Sequence, residues 1–330
     1  MILLWGLPAD RQLAAVGRRL QQLGAPAFLL DQTMAARTSS RPGDVDPLDA
    51  RVLIDGVEVL SLADVTAAYL RPHDSRQIVE RTAPRDPEAM MRATEVDMTL
   101  LAWSDVAPGT ILNRPSAMTS NDSKPYQTAI VARHGLRVPD TLITTDPEAV
   151  RAFQARHGEL IYKSISSTRS VVSKLGPAQL ARLEAITVCP TQFQQYVAGS
   201  DVRVHVLQDH IFAAEIQSEA DDYRYATHTG HQVAMRSVTL PGEVADRCRA
   251  VTRALGLTFA GVDLRRSPEG EWYCFEVNPS PGFSYYEAHT QAAISPAVAR
   301  LLAGRSARPR LTSPAGLGPA RASTPMRAGL

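Results

Sequence analysis

The chain lacks the features that mark secreted, membrane-bound and nucleic-acid-binding proteins. Its 330 residues carry 35 Lys and Arg against 34 Asp and Glu, so the formal net charge is only +1. A balance of this kind gives no electrostatic attraction to nucleic acid or to an anionic membrane. The three cysteines, Cys189, Cys248 and Cys274, lie far apart and match neither a metal motif nor a disulfide framework. These absences favour a reducing compartment.

Long apolar runs are also absent. No stretch approaches the about 20 apolar residues that a membrane-spanning helix needs. The start, Met1-Ile2-Leu3-Leu4-Trp5-Gly6, is too short for a secretory signal and lacks its positively charged region. We therefore expect a cytoplasmic protein with neither a membrane nor a nucleic-acid partner. The length and the 44% hydrophobic content allow two or three domains with cores of their own.

Two short alternating runs in the C-terminal third predict a β-hairpin. Residues 259–265 (Phe-Ala-Gly-Val-Asp-Leu-Arg) and 272–278 (Trp-Tyr-Cys-Phe-Glu-Val-Asn) flank a Ser-Pro-Glu-Gly turn sequence. Since side chains alternate between the faces of a strand, Asp263 lies on the polar face of the first strand. Glu276 and Asn278 lie on the polar face of the second strand. Two carboxylates and an amide oxygen are therefore predicted to converge.

The register of this hairpin follows from its turn. A four-residue turn closed by Arg266 and Glu271 places Asp263 opposite Cys274, with Glu276 as its diagonal neighbour at roughly 7–8 Å. The apolar face of the second strand is then formed by Tyr273, Phe275 and Val277.

Such a pair of carboxylates predicts a cation site. Close carboxylates repel each other unless a positive charge lies between them. Mg²⁺ prefers oxygen ligands and is commonly held by one or two carboxylates together with substrate phosphates. Asp263, Glu276 and Asn278 are therefore candidate ligands of a Mg²⁺–nucleotide site, and the alternative is a solvated strand face with ordinary charges. The Asn-Pro-Ser-Pro-Gly turn that follows leaves room for a substrate and favours the site.

The same residues resemble a known signature. Gly261-Val262-Asp263, Phe275-Glu276-Val277-Asn278-Pro279 and Gly282 are similar to the C-terminal motif of the ATP-grasp superfamily. Within it, the chain is most similar to RimK-like ligases and graspetide (microviridin-type) synthetases, over residues 113–287. The resemblance implies an α+β fold in which two α+β subdomains clasp ATP, preceded by a small α/β domain. It also implies that Asp263, Glu276 and Asn278 bind Mg²⁺, with Mn²⁺ as an alternative.

The order of elements suggests four segments. A β–α–β rhythm indicates an N-terminal α/β domain over 1–112. The resemblance then implies a central ATP-grasp subdomain over 113–190 and a C-terminal subdomain with the metal site over 191–303. Residues 304–330 are rich in Ala, Pro, Arg, Ser and Gly without hydrophobic period, and we expect a disordered tail there.

Local signals support the N-terminal assignment. Asp10 is a candidate cap of a helix that runs through Leu23 and stops at Gly24. Asp55-Gly56, between two apolar runs, predicts a hairpin with a type I′ turn.

Two lysines are candidates for phosphate contacts. Lys124 opens a helix for which Ser123 is a plausible cap, and Lys163 ends the apolar run at 160–164. In the resembling ligases, lysines in this order contact the nucleotide phosphates. Either lysine taken alone is better explained as a solvated surface charge, but the two together, in this order, favour contacts with phosphate.

The resemblance assigns the other nucleotide contacts to one stretch. Gln195, Tyr196 and Val197 correspond to the hinge whose backbone pairs with adenine, and Asp201 lies near the ribose. Arg203 lies near the phosphates, where the planar guanidinium suits phosphate oxygens. By contrast, His205 is interpreted as a buried histidine at the edge of a core.

Two departures from the family pattern are visible. The loop at 164–170, expected to cover the phosphates, contains no glycine, so no residue of 166–170 is assigned a contact. Asp221-Asp222-Tyr223-Arg224 is similar to a graspetide-synthetase Asp-Trp-Arg pattern, with Tyr223 in place of Trp. Arg224 is thus a candidate for stabilising charge during transfer, or else an ordinary loop arginine.

The resemblance implies an ATP-dependent ligase. A carboxylate would be phosphorylated by Mg-ATP, and an amine or a hydroxyl would attack the acyl phosphate, with Arg203 and Arg224 as catalytic residues. The acceptor is either a small precursor peptide or an amino acid, and the resemblance allows a homodimer. One alternative is a non-catalytic nucleotide-binding regulator or scaffold, which the glycine-free loop favours slightly and the intact set of Asp263, Glu276 and Asn278 argues against. Another alternative is a phosphotransferase.

Overall fold

A computed structural model describes residues 1–43, 47–165, 172–218 and 233–304 of the chain. Within these ranges the strands form four sheets, and none of the helices is long and apolar enough to cross a membrane. The loop positions 166–170, Arg224 and the predicted tail beyond Gly304 lie outside the described residues.

The N-terminal part contains one parallel and one antiparallel sheet. Its elements are β1 (Ile2–Gly6), α1 (Arg11–Gln22), β2 (Ala27–Asp31), β3 (Thr38–Arg41), β4 (Arg51–Ile54), β5 (Val57–Ser61), β6 (Ala67–Arg71), α2 (Ser75–Thr82), α3 (Pro87–Val106) and β7 (Thr110–Leu112). The parallel sheet has the order β2-β1-β6-β7, and the antiparallel sheet has the order β3-β4-β5.

The rest of the described chain forms two antiparallel sheets. Its elements are α4 (Pro115–Met118), α5 (Lys124–Arg133), β8 (Thr141–Thr144), α6 (Pro147–His157), β9 (Leu160–Ser164), β10 (Ser173–Lys174), α7 (Pro177–Leu180), β11 (Thr191–Gln195), β12 (Ser200–Leu207), β13 (His210–Ser218), β14 (Val233–Val238), α8 (Gly242–Ala254), β15 (Phe259–Arg266), β16 (Trp272–Asn278), α9 (Ser284–Thr290) and α10 (Ile294–Leu302). The small sheet has the order β10-β9-β11-β8, and the large sheet has the order β14-β13-β12-β15-β16.

Local chemistry sets the ends of the N-terminal elements as predicted. The Asp10 side chain accepts a hydrogen bond from the Leu13 backbone N–H at 2.8 Å, which caps α1. Gly24 follows the helix with φ of +64°. Asp55 and Gly56 both have positive φ between β4 and β5, as a type I′ turn requires.

The apolar faces of the sheets bury separate cores. The parallel sheet packs Ile2 and Leu4 towards α1 and α10, and Leu3 and Trp5 towards α3. The large sheet packs one face against α5 and α8. Its other face carries the polar side chains of β12, β15 and β16, so a cleft opens between this face and the small sheet.

The predicted C-terminal hairpin forms as β15 and β16, but its turn is one residue longer than predicted. Arg266 pairs with Trp272 rather than with Glu271. The reason is that the Ser267 backbone N–H closes the turn onto the Glu271 carbonyl, at 2.8 Å.

A β-bulge then shifts the register once more. Leu264 pairs with Cys274, whereas Asp263 pairs directly with Glu276, so Phe275 is the extra residue of the bulge. The prediction that Asp263 lies opposite Cys274, with Glu276 diagonal to it, is wrong. The two carboxylates are direct cross-strand neighbours.

The bulge also changes which side chains of β16 reach the core. Cys274 and Val277 are buried in the core of the large sheet. Tyr273 and Phe275 are only half-buried, and Phe275 lines the cleft. The predicted apolar face of Tyr273, Phe275 and Val277 is therefore correct for Val277 alone.

Helix α3 allows a test of the packing. Leu100 is 1% exposed and Met98 is 66% exposed. We expect Leu100→Ala to lower the free energy of unfolding by about 2–5 kcal/mol, because it leaves a cavity. Met98→Ala should change it by no more than about 0.5 kcal/mol. Urea unfolding followed by circular dichroism measures both, and equal effects of the two substitutions would contradict the helix orientation.

Candidate active site

A cleft lies between the small and large sheets. Its small-sheet side is lined by Ile161, Lys163, Val172, Lys174, Gln194 and Tyr196. Its large-sheet side presents Asp201, Arg203, Asp263, Arg265, Phe275 and Glu276. Lys163 and Arg203 act electrostatically on Glu276, which lies beside Asp263, and we call this part of the lining the polar end of the cleft.

Each carboxylate of the predicted metal site has a cationic partner. Arg203 donates from Nη1 to Oδ1 of Asp263 at 2.5 Å. Lys124 donates from Nζ to Oε1 of Glu276 at 2.5 Å. Two close carboxylates need nearby positive charge, and in this protein Arg203 and Lys124 supply it.

The pKa of Glu276 shows which effect dominates there. Burial alone would raise the pKa of this carboxyl, but the charges of Lys124, Lys163 and Arg203 and the hydrogen bond from Lys124 outweigh burial, so the pKa is lowered. Glu276 is therefore ionised at neutral pH, as a metal ligand must be.

The donor set fits a magnesium ion that is completed by phosphates. Among the described residues, only one oxygen of the Asp263 side chain and one of the Glu276 side chain accept hydrogen bonds. The Asn278 Oδ1 accepts from the Ser280 backbone N–H at 2.8 Å and retains a second lone pair. The described chain holds no group of three or more His, Cys, Asp or Glu side chains that could bind a metal alone. This combination suits Mg²⁺, which takes few carboxylates and shares phosphate oxygens.

Gly261 makes room for the buried guanidinium of Arg203. A Cβ atom at position 261 would lie 2.6 Å from Cζ of Arg203 and 2.8 Å from Cβ of Pro281. Arg203 is 6% exposed, so it has little freedom to move aside. The glycine of the Gly-Val-Asp motif thus has a packing role at the site.

Arg265 hydrogen-bonds both Asp201, the predicted ribose contact, and Val197, a predicted adenine contact. Its Nε and Nη2 donate to the Asp201 carboxylate at 2.8 and 3.0 Å, and its Nη1 donates to the Val197 carbonyl at 2.8 Å. The Arg265 guanidinium also lies 5.1 Å from the centre of the Phe275 ring. This arginine therefore fixes the end of the hinge relative to Asp201.

The hinge itself is held by its neighbours. The backbone N–H groups of Gln195 and Tyr196 donate to the carbonyls of Asp140 and Glu159. The Nζ of Lys174 lies 4.2 Å from the centre of the Tyr196 ring, inside the cleft.

The loop after β16 is fixed by side chains from three distant parts of the chain. Asn113 donates to the Pro279 carbonyl at 2.6 Å, and Arg71 donates to Oγ of Ser280 at 3.0 Å. His205 bonds the Gly282 carbonyl at 3.1 Å. Because Arg71 belongs to the N-terminal sheet, that part of the chain contributes directly to the shape of the site.

His205 is a buried histidine, as predicted. It is 1% exposed, and burial, together with the charge of Arg203, lowers its pKa to about 3. The ring is therefore neutral at physiological pH and donates its Nε2 proton to Gly282.

The predicted site residues are largely brought together. Six of them line the cleft: Lys163, Tyr196, Asp201, Arg203, Asp263 and Glu276. Lys124 reaches the site through Glu276, whereas Gln195, Val197 and Asn278 flank it. Arg224 lies outside the described residues.

Sequence reasoning missed other residues of the cleft, among them Lys174, Arg265 and Phe275. The signal for Arg265 was its position two residues after Asp263, on the same strand face. Phe275 was assigned to the wrong face because the bulge has no clear sequence signature.

Comparisons with known proteins agree with this architecture. A family model described as the RimK-like ATP-grasp domain matches residues 121–302. The probable alpha-L-glutamate ligase 1 of Hahella chejuensis is 28% identical over 190 residues, which cover 54% of this chain. The chain spans 62% of the length of that relative.

Solved structures extend the similarity to the N-terminal part. The ATP-grasp ligase PsnB, complexed with a phosphomimetic variant of its minimal precursor, Mg and ADP, is 26% identical with a TM-score of 0.77, over 92% of this chain and 97% of that one. A RiPP-associated ATP-grasp ligase of Chryseobacterium gregarium is 20% identical with a TM-score of 0.77, over 94% of this chain and 99% of that one. The predicted ATP-grasp fold of the α+β class is confirmed.

The packing at position 261 can be tested directly. We expect Gly261→Ala to lower the free energy of unfolding by about 1–3 kcal/mol, because the added methyl group collides with Arg203. It should also weaken ADP binding measured by calorimetry. Gly242→Ala is the matched control, since a Cβ atom there meets no atom within 4 Å. Equal behaviour of the two variants would refute the packing role.

The lowered pKa of Glu276 predicts a pH dependence. A carboxyl whose pKa is lower in the folded state adds stability above its unfolded pKa, and this stability is lost as the pH falls through the folded pKa. The apoprotein should therefore melt at a higher temperature than Glu276→Gln near neutral pH. The difference should shrink below the ordinary pKa of 4.5. Scanning calorimetry measures the difference, and a gap independent of pH would show that Glu276 gains no stability from its charge.

Proposed function

We propose that this chain, which belongs to the RimK-like ATP-grasp family, is an ATP-dependent ligase that joins a carboxylate to an amine or a hydroxyl. One observation carries the proposal. The side-by-side carboxylates of Asp263 and Glu276 share the polar end of the cleft with Arg203 and Lys163, and Lys124 joins them through its ion pair. Alternating charges of this kind suit a metal-bound polyphosphate.

Asp263, Glu276 and Asn278 would hold Mg²⁺, for which Mn²⁺ is a possible substitute. When bound, the metal neutralises phosphate charge and polarises the transferring phosphoryl group. Lys124, Lys163 and Arg203 would orient the phosphates from the sides. The task of this chain is therefore positioning and charge compensation.

The nucleoside would lie at the other end of the cleft. Tyr196 and Lys174 line the cleft, and the proposed hinge of Gln195, Tyr196 and Val197 would offer backbone groups to adenine. Asp201 would accept a ribose hydroxyl while Arg265 holds its carboxylate in place.

The proposed reaction has two steps. A carboxylate oxygen of the substrate attacks the terminal phosphorus, the bond to the bridging oxygen breaks, and ADP leaves. An amine or hydroxyl then attacks the acyl carbon, the carbon–oxygen bond to phosphate breaks, and the nucleophile loses its proton. Arg203, and Arg224 from outside the described residues, would stabilise the negative charge that develops.

We propose a peptide as substrate. PsnB and the Chryseobacterium gregarium enzyme were solved with precursor or with leader and core peptides, and the similarity to both covers more than nine-tenths of this chain. Addition of an amino acid to a carboxylate is the second candidate, supported by the relatives named as probable glutamate ligases. We further expect a cytoplasmic enzyme, with a homodimer as its candidate assembly.

Nucleotide binding is the first test. We expect Mg²⁺ with ADP at about one hundred times its dissociation constant to stabilise the protein by about 2.7 kcal/mol, which differential scanning fluorimetry detects as a higher melting temperature. ADP release should then depend on an added carboxylate peptide. Binding without such release would favour a regulator or scaffold, and a stable phosphorylated product would favour a phosphotransferase.

Charge substitutions test the metal ligands. Glu276→Gln and Asp263→Asn should each reduce ADP release by at least about a hundredfold, as the loss of one group that stabilises transition-state charge typically does. The double variant should be no slower than either single variant, because the ligands of one metal act as a unit. Glu271→Gln is the control, since Glu271 pairs with Arg137 away from the cleft. Activity that survives both single substitutions would refute the metal site.

A further inference from the structure

Gln127 connects helix α5 to the strand that carries the proposed metal ligands. Its Nε2 donates to the Val277 carbonyl at 2.8 Å, and its Oε1 accepts from the Val277 backbone N–H at 2.9 Å. The side chain is 2% exposed. Val277 lies between Glu276 and Asn278. Gln127 therefore hydrogen-bonds the backbone of the one residue that separates two of the proposed metal ligands.

The position of β16 at the edge of its sheet explains why its backbone needs a side chain as hydrogen-bond partner. β16 is the last strand of the large sheet, and its outer backbone edge has no neighbouring strand in the described chain. Arg137 covers the far end of that edge through backbone bonds to Trp272 and Cys274. At the ligand end, the Gln127 amide takes the place of a strand, because it offers one donor and one acceptor to one residue.

Helix α5 also places the positive charge of Lys124 next to Glu276, the residue before Val277. Lys124 precedes Gln127 by three positions, so the two side chains lie on one face of α5. Lys124 bonds the Glu276 carboxylate while Gln127 bonds the Val277 backbone. The two bonds of the Gln127 amide therefore fix how α5 is positioned and rotated relative to β16, and this alignment determines where the Lys124 ammonium contacts the Glu276 carboxylate.

We propose that Gln127 is a positioning residue for catalysis, which holds Lys124 and Glu276 in register and thereby sets the affinity of the site for Mg²⁺ with nucleotide. The inference rests on the proposed function, since it concerns the same metal and phosphates. It adds a residue that touches neither the metal nor the phosphates.

A matched control separates positioning from ordinary stabilisation. Gln32 is 3% exposed and makes the same pair of bonds to one backbone, donating to the His73 carbonyl at 2.8 Å and accepting from the His73 N–H at 2.9 Å. Its Nε2 also donates to Oγ of Ser75 at 3.0 Å. It lies in the N-terminal part of the chain, outside the cleft lining. Gln32→Met should therefore lose at least as much structural support as Gln127→Met.

The experiment compares these two variants with the unaltered full-length chain. Isothermal calorimetry measures ADP binding over a series of Mg²⁺ concentrations, and hydrogen exchange by mass spectrometry measures the protection of Val277 in the apoprotein. We expect Gln127→Met to weaken Mg²⁺-dependent ADP binding by about 10–100-fold, as the loss of a residue that orients a metal ligand typically does, and to deprotect Val277. Gln32→Met should lower the melting temperature at least as much but leave ADP binding unchanged.

A second variant covers the case in which Gln127→Met does not fold. Gln127→Glu keeps the size of the side chain and an acceptor for the Val277 N–H but loses the donor to the carbonyl. We expect it to fold and to weaken Mg²⁺-dependent ADP binding in the same direction, while Val277 stays protected.

The outcomes separate a failure of the proposed function from a failure of the positioning role of Gln127. If the unaltered chain binds no ADP with Mg²⁺, the proposed function falls and this inference falls with it. If the unaltered chain binds ADP, and the folded Gln127 variants bind it as tightly as Gln32→Met does, the proposed function stands and Gln127 is only structural.

Discussion

The site depends on the compensation of charge inside a narrow cleft. Asp263 and Glu276 face each other across two hydrogen-bonded strands, a placement that costs free energy when both are ionised. Arg203 and Lys124 offset that cost, one from the same sheet and one from a helix packed against it. The polar end of the cleft is therefore preorganised, because its positive and negative side chains alternate before any ligand enters. A metal ion with its phosphates would continue this alternation of positive and negative charge.

Much of the fold could be predicted because its signals are local. The cap at Asp10 and the turn at Asp55 and Gly56 depend only on neighbouring residues, and the periodicity of β15 needs no partner to be read. The positions of the candidate site residues in the sequence were likewise recognisable from their short motif.

The parts that could not be predicted depend on contacts between distant segments. The bulge at Phe275 lies between two parts of β16 that are held by separate contacts, the turn at Ser267 and the edge contacts of Val277. The ion pair between Lys124 and Glu276 spans 152 positions of sequence. Neither periodicity nor turn chemistry contains information on how a helix is aligned against a strand edge. The sequence therefore could not predict which cation pairs with Asp263 and which pairs with Glu276.

The contact between Gly261 and Arg203 has a consequence for sequence variation. Since the guanidinium occupies the volume of the missing side chain, these two positions cannot change independently. A shorter residue at 203 would remove the guanidinium from the path of an alanine at 261 and leave the contact with Cβ of Pro281 to be relieved. An alanine that arose first would collide with both the buried guanidinium and Pro281. The order of substitution is thereby constrained, and in an alignment of relatives glycine should persist at 261 wherever arginine stands at 203.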